Sequence, residues 1–443
     1  MPQKAMPQKA MPRLFTLLAL LAAALAAQAP AQIPAPHHLT IPPEAQASSH
    51  FDATAATNAY LASFPTPQRQ RSDAYFEGGY WLTLWDFLYG AVLSLVLLAT
   101  GLSAGMRDLA ERITRRGPLQ TLVYWAQYIL VTSIAGFPLT VYEGFFREHQ
   151  YGLSNQNFVS WMGDQTKELL LGLVLGGLAV AALVGIVRRL PGAWHIWGAV
   201  VSIVFVMIGA LIAPVFIAPL FNDYTVLKDQ RIKDSILRLA RANGIPVTEV
   251  YEFNASKQSK RVSANVSGFL GTTRISLNDN LLNRCSPEAI EAVMGHEMGH
   301  FVMNHIYKGI LFSTIVFTLT FTWLRRALDW SLLRWGTRWR LRGVTDVAVL
   351  PLAALLISAI SLGLSPIENT FTRTQEFEAD MYGLNAARQP DGEAEADLLL
   401  GEYRKLDPGS IEEWIFFDHP GGRTRIFAAM RWKAENLAPR PVE

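Results

Sequence analysis

Six stretches of this 443-residue chain are apolar for long enough to cross a bilayer, which takes about twenty residues of helix. They fall near 80–103, 119–143, 169–187, 194–217, 306–325 and 347–365. Two portions, 218–305 and 366–443, carry the mixed pattern of water-exposed protein instead. In the first, Ile232, Ile236, Leu239 and Ala240 recur at helical spacing and predict an amphipathic helix near 228–242. Asn243-Gly244 and Pro246 supply its stop. Alternation in 247–253, 261–269 and 273–279 predicts short strands. Ser286 and Pro287 then provide an N-cap and first helical residue for a helix through SPEAIEAVMGHEMGHFVMNH.

The charges fall into register with the spans. Arg107, Arg112, Arg115 and Arg116 follow the first, and Arg188 and Arg189 follow the third. Arg325, Arg326, Arg334, Arg338, Arg340 and Arg342 separate the last two. At the start, Lys4, Lys9 and Arg13 precede an apolar run from Leu14 to Ala27 and an Ala27-Gln28-Ala29 site. Residues 1–29 therefore read as a signal peptide or a first membrane anchor. On either reading the segment after residue 29 is exported, so the three Arg clusters land together on the cytoplasmic side. Both polar portions then lie on the opposite side. The Ala/Pro-rich stretch 30–78 reads as a loosely ordered external segment.

Composition agrees with a membrane protein. Half the residues are hydrophobic and 17% are charged, against about a quarter charged in soluble domains. A net charge of +2 gives no sign of a nucleic-acid partner. The single cysteine, Cys285, excludes an intrachain disulfide framework and any multi-cysteine zinc site. The expected fold is mainly α and polytopic, with six to seven membrane helices and a small peptidase domain containing a few short strands.

Candidate chemistry centres on HEMGH, His296 to His300. Residues four apart share a helix face, so His296 and His300 can direct two imidazoles at one Zn2+. Zinc lowers the pKa of water toward neutrality, and the neighbouring Glu297 would take the proton as general base. A catalytic site needs a third protein ligand. The variant with a third histidine would require Gly at 303 and His at 306, where this chain has Met303 and Ile306. His305, nine residues from His296, is expected on the opposite helix face as a surface or interfacial histidine. Downstream, Glu376 and Asp380 share a face in TFTRTQEFEAD, while Glu378 points elsewhere. Glu376 would bind the metal and Asp380 would accept a hydrogen bond from a ligating imidazole. Taken alone, that segment could equally be a solvated amphipathic helix. Two spans separate His300 from Glu376, however, and an even number of crossings returns the chain to the same side. A zinc-binding transporter or channel is the alternative class, resting on Asp86, Glu143 and Glu368 near the spans. It gives Glu297 nothing to do.

The ordered segments EHQYGLSNQNF (148–158), FIAPLFNDY (216–224), SKQSKRVSANVSGFLGTTRISL (256–277), HEMGH, RTQEFEAD and DHPGGRTRI (418–426) resemble a known family. It is that of the integral-membrane zinc proteases typified by the type I CAAX prenyl protease, and the resemblance runs from about residue 75 to the C-terminus. It implies one Zn2+ held by His296, His300 and Glu376, with Glu297 as base. It also implies a ring of membrane helices around a chamber, capped by the zinc domain. Asn265 matches a position lining the substrate cleft. His419 and Arg425 match a histidine-proline segment whose His assists the tetrahedral intermediate, with Arg425 expected as a substrate contact. The implied division is a membrane-helix domain at 79–217, a zinc-peptidase domain at 218–305, a hairpin at 306–365 and the rest of the peptidase domain at 366–443. The family's eukaryotic members imply a cytosol-facing site, whereas the Arg clusters put this one on the non-cytoplasmic face of the cell's inner membrane. Exported or membrane-associated polypeptides are therefore the expected substrates, with prenylated CAAX peptides as the alternative. The oligomeric state is left open.

Overall fold

A computed structural model describes residues 38–268 and 273–437. The signal peptide or anchor expected at 1–29 lies outside them. Asp52 caps a first helix, α1 (Ala53–Ser63), by accepting from Thr54 N at 2.8 Å. The first membrane span comes almost at once as α2 (Thr66–Ala99). A short amphipathic helix, α3 (Leu102–Ile113), leads to three further spans, α4 (Gly117–Gln150), α5 (Phe158–Arg189) and α6 (Trp194–Phe221). Each helix is longer than the apolar run that predicted it, because polar turns continue past the hydrocarbon.

After α6 come β1 (Tyr224–Val226), α7 (Gln230–Ala242), β2 (Val250–Phe253), β3 (Ala264–Ser267), β4 (Arg274–Asn278) and α8 (Asp279–Arg284). The sheet order is β1-β2-β4-β3, with β2 and β4 parallel and the other pairs antiparallel. Three strands sit where alternation placed them. At three residues, β1 is too short to alternate visibly. Ser286 caps α9 (Pro287–Val302) by accepting from Ala289 N at 3.1 Å, with Pro287 in the first turn. The last spans are α10 (His305–Trp335) and α11 (Leu350–Ala387). The C-terminal part comprises α12 (Pro390–Leu400), α13 (Ser410–Phe416) and α14 (Gly422–Asn436).

Contacts between the spans run α2–α4–α5–α6–α10–α11 and back to α2, closing a ring. At most 28% of the most apolar stretch of any span is buried, and none of that in α6. The apolar stretches of the spans are therefore little covered by protein, as helices that face lipid are. At one end the three Arg clusters meet. Arg107 Nη1 reaches Asp346 Oδ2 at 2.6 Å, Arg188 Nε reaches the Thr345 carbonyl at 3.3 Å, and Arg325 Nη1 reaches the Gly192 carbonyl at 2.6 Å. Arg107 is buried in this pairing; most of the other cluster arginines stay exposed.

The part that bears the sheet and α9 caps the opposite end. The α4–α5 loop is stitched to it through Asn155 N to the Gln258 carbonyl (2.9 Å) and Lys260 N to the Leu153 carbonyl (3.0 Å). Two apolar cores flank the α9–α11 pair. Ile236, Ile275, Leu277, Ile290, Met294 and Met298 fill the one between α7, the sheet and α9. The other joins Leu384, Ile426, Met430 and Trp432 to Ala56 and Tyr60 of α1. From residue 38, where the described part begins, this corrects the reading of 30–78 as loosely ordered. The alanines that lower its sequence complexity are the small side chains that let α1 lie against α14, and Tyr60 is bonded to Asp391 at 2.8 Å.

Candidate metal centre and active site

Helix α9 presents three faces. Ile290, Met294 and Met298, four apart, go to the sheet-side core. Gly295 and Gly299 lie against α11, where a Cβ on Gly299 would meet Ala379 Cα at 3.1 Å. On α11 the answering residues are Ala379, Gly383 and Ala387; a Cβ on Gly383 would come within 2.7 Å of His296 N. The absence of side chains here lets the two backbones approach closely, as small residues spaced by four do in other tight helix pairs. The third face carries His296 and His300, directly opposite Glu376.

The expected donor atoms converge. The Nε2 atoms of His296 and His300 are 3.0 Å apart, and Glu376 oxygens lie 3.3 Å and 3.5 Å from them. Ligand atoms around a tetrahedral ion with bonds of about 2.0–2.1 Å sit about 3.3–3.4 Å from one another. Proton placement makes the fit stronger. His296 Nδ1 faces Asp380 Oδ1 at 2.7 Å and so carries a hydrogen for that carboxylate, leaving Nε2 with a lone pair. His300 Nδ1 is likewise engaged, at 2.8 Å, by His305. The two imidazole Nε2 atoms thus face one another beside the buried Glu376 carboxylate. A cation satisfies all three.

Behind His296 stands a chain of charge. Arg425 grips Asp380 through Nε (2.8 Å) and Nη2 (2.5 Å), and its guanidinium also meets Asp397 at 2.9 Å and Glu393 at 3.3 Å. All four groups are buried. One guanidinium cannot balance three carboxylates, and burial pushes the Glu393 and Asp397 carboxyls up. Glu393 and Asp397 were not singled out from the sequence, although their i, i+4 spacing on α12 was there to read.

Glu297 lines a cavity of about 170 Å³ together with His296, Glu376, His419, Tyr403 and Arg404. Burial pushes its carboxyl up, opposed by the two neighbouring imidazoles. His419 Nε2 comes within 3.1 Å of Glu376 Oε2, with Nδ1 held by Asp418 at 2.8 Å. Arg425 reaches the cavity wall only as a buried, fully paired group, a placement that corrects the expectation of a free substrate contact. Asn265 sits on the edge strand β3 opposite Ser276. Among the described residues the cavity is lined by its neighbours Val262, Ser263 and Ala264 rather than by Asn265.

His305 is a second correction. It is buried against His300 instead of lying on a far helix face, because α9 ends at Val302 and α10 begins afresh at His305. Asn304 between them adopts φ +59°, the left-handed region. Glu378 does point away from the donor set, toward His305.

Comparison with known proteins agrees with this geometry. Residues 226–433 match the family model described as peptidase family M48, and residues 51–223 match the one described as CAAX prenyl protease N-terminal, five membrane helices. The chain is 30% identical to the uncharacterized metalloprotease YhfN of Bacillus subtilis over 75% of this chain and 79% of that one. It is 27% identical to CAAX prenyl protease 1 of Saccharomyces cerevisiae, covering 70% and 72% of the two chains. The crystal structure of S. mikatae Ste24p superposes with a TM-score of 0.70 at 22% identity, over 83% of this chain and 89% of that one, and shares its fold. A helix ring capped by a domain with a metal-ready donor set, matched by both families along its length, makes this chain a membrane metalloprotease of peptidase family M48.

Proposed function

We propose that the chain is a zinc-dependent endopeptidase in which His296, His300 and Glu376 hold one Zn2+ and Glu297 is the general base. The observation that carries this is the convergence of two imidazole Nε2 atoms and the buried Glu376 carboxylate beside Glu297. When bound, zinc would supply Lewis acidity toward water and the scissile carbonyl. Glu297, its carboxyl pushed up by burial, takes the proton of the attacking water and returns it to the leaving amine. His419, its Nδ1 donating to Asp418, faces the same cavity, and as the imidazolium that Asp418 and Glu376 favour it can donate from Nε2 to the developing oxyanion. Asp380 fixes the tautomer of His296, and Arg425 fixes Asp380. Arg425 is thus a support for the centre. For Asn265, whose position on an edge strand leaves one side of β3 open, contact with an extended substrate backbone is the role retained.

The Arg-rich end of the ring is opposite the site, which supports placing the site on the non-cytoplasmic face. Exported or membrane-associated polypeptides are then the substrates. The relatives named CAAX prenyl protease support a second reading, C-terminal processing of prenylated peptides. Purified protein stripped with a chelator and reloaded with zinc tests both. We expect cleavage of an unlipidated extended peptide to vanish and return. A farnesylated CAAX peptide cut in preference to it would establish the second reading, and chelator-resistant cleavage would remove zinc from the mechanism.

A further inference from the structure

His300 lacks the direct carboxylate partner that His296 has in Asp380. Its Nδ1 meets instead the Nδ1 of His305 at 2.8 Å, the two rings standing nearly edge to face with centroids 5.0 Å apart. The other nitrogen of His305, Nε2, lies 3.1 Å from Glu378 Oε2, and Lys308 Nζ holds that oxygen at 2.6 Å. The His305 side chain is 4% exposed, so water cannot substitute for these partners.

Only one arrangement of protons serves every contact. With Nε2 of His300 left as a lone pair toward His296 and Glu376, its hydrogen must be on Nδ1, which therefore donates. His305 Nδ1 must accept, which places the His305 hydrogen on Nε2, facing Glu378. Glu378 ends the chain as a carboxylate, and Lys308 compensates its charge. Each member donates toward Glu378 and none is left unsatisfied.

We infer that His305 and Glu378 are positioning residues that orient the His300 ring and fix its tautomer for metal binding, a carboxylate acting through an intervening imidazole. This inference rests on the reading of His296, His300 and Glu376 as the metal site. It assigns a purpose to the chain break after α9: the left-handed Asn304 turns the backbone so that His305 returns to His300, which an uninterrupted helix would prevent. Glu378 lies two residues beyond Glu376 on α11, so one helix supplies both a ligand and the end of the chain that orients another.

The test is zinc affinity of the purified full-length protein, measured by competition with a chromophoric chelator. Removing a hydrogen-bond partner of a metal-bound histidine weakens binding by about 10–100-fold. His305→Leu is expected to show that loss, and Glu378→Gln, which keeps an acceptor oxygen, a smaller one. His305→Asn, whose amide can accept from His300, is expected to recover most of the affinity. Melting of the metal-free Asn and Glu378→Gln variants should match metal-free wild type, which a merely structural role would not predict. Wild-type zinc affinity in His305→Leu overturns the inference if His296→Ala and Glu376→Ala lose zinc. If those two also keep it, the metal-site reading itself fails.

Discussion

His296 Nδ1 and Asp380 Oδ1 lie 2.7 Å apart although 84 residues and two membrane spans separate them in the chain. Only the close approach of α9 and α11 makes that bond, and Asp380 has no slack to move because Arg425 holds both of its oxygens. Asp380→Asn should therefore weaken zinc binding by about 10–100-fold, since an amide oxygen accepts more weakly than a carboxylate. Chelator competition measures it; unchanged affinity would detach Asp380 from the centre.

Glu297→Gln separates binding from chemistry. The amide keeps the size of the side chain but cannot accept a proton, so zinc content should stay at one per chain. Peptide cleavage should fall by about 10²–10⁴-fold, the usual contribution of a positioned acid–base group. Metal analysis and a peptide assay on one preparation decide it.

The glycine interface gives a packing prediction. In Gly383→Ala the new Cβ would stand 2.7 Å from His296 N, so the two helices must separate. Overpacking of this kind costs about 1–3 kcal/mol, and zinc affinity should fall with it. Gly309→Ala, whose Cβ meets nothing within 4 Å, is the control and should leave melting and zinc binding unchanged.

Arg425→Met strands a group of buried carboxyls without their counterion. Breaking a buried pair by removing one partner costs about 3–5 kcal/mol. Lys should not restore it, because it cannot grip Asp380 through two nitrogens while reaching Asp397. The pH dependence has a definite sign. Burial raises the Asp397 carboxyl in the folded state, so the folded protein holds that proton more tightly than the unfolded chain. Stability from this group is present below the ordinary aspartate range and is lost as pH rises toward the folded value. Asp397→Asn should flatten that decline in melting curves.

Orientation is open to a chemical test. The lone native cysteine, Cys285, is 3% exposed and should ignore a membrane-impermeant maleimide. Arg338→Cys, on the exposed loop between the last spans, should label only after the membrane is opened. Labelling in intact cells would reverse the assignment of the site to the outer face.

Local pattern carried much of this site. Four-residue spacing put His296 with His300 and Glu376 with Asp380, and Ser286-Pro287 marked where α9 begins. Parity of the membrane crossings joined the two helices. The features that escaped had tertiary causes. HFVMNHIYK reads as continuous helix, since a left-handed asparagine leaves no mark in hydrophobic spacing, and that pattern puts His305 on the wrong face. The partners of Arg425 come from α11 and α12, and only the folded chain brings them to α14. The packing of α1 depends on alanines, whose small size is legible only beside the surface they meet.

The donor set is divided by the α10–α11 hairpin, and its supports continue to Arg425 near the end of the chain. During synthesis His296 and His300 emerge first, but Glu376 cannot join them until both spans have threaded the bilayer. Asp380 is not held until the final helix folds back. A nascent chain therefore carries two of the three proposed donors until its last two spans are in place.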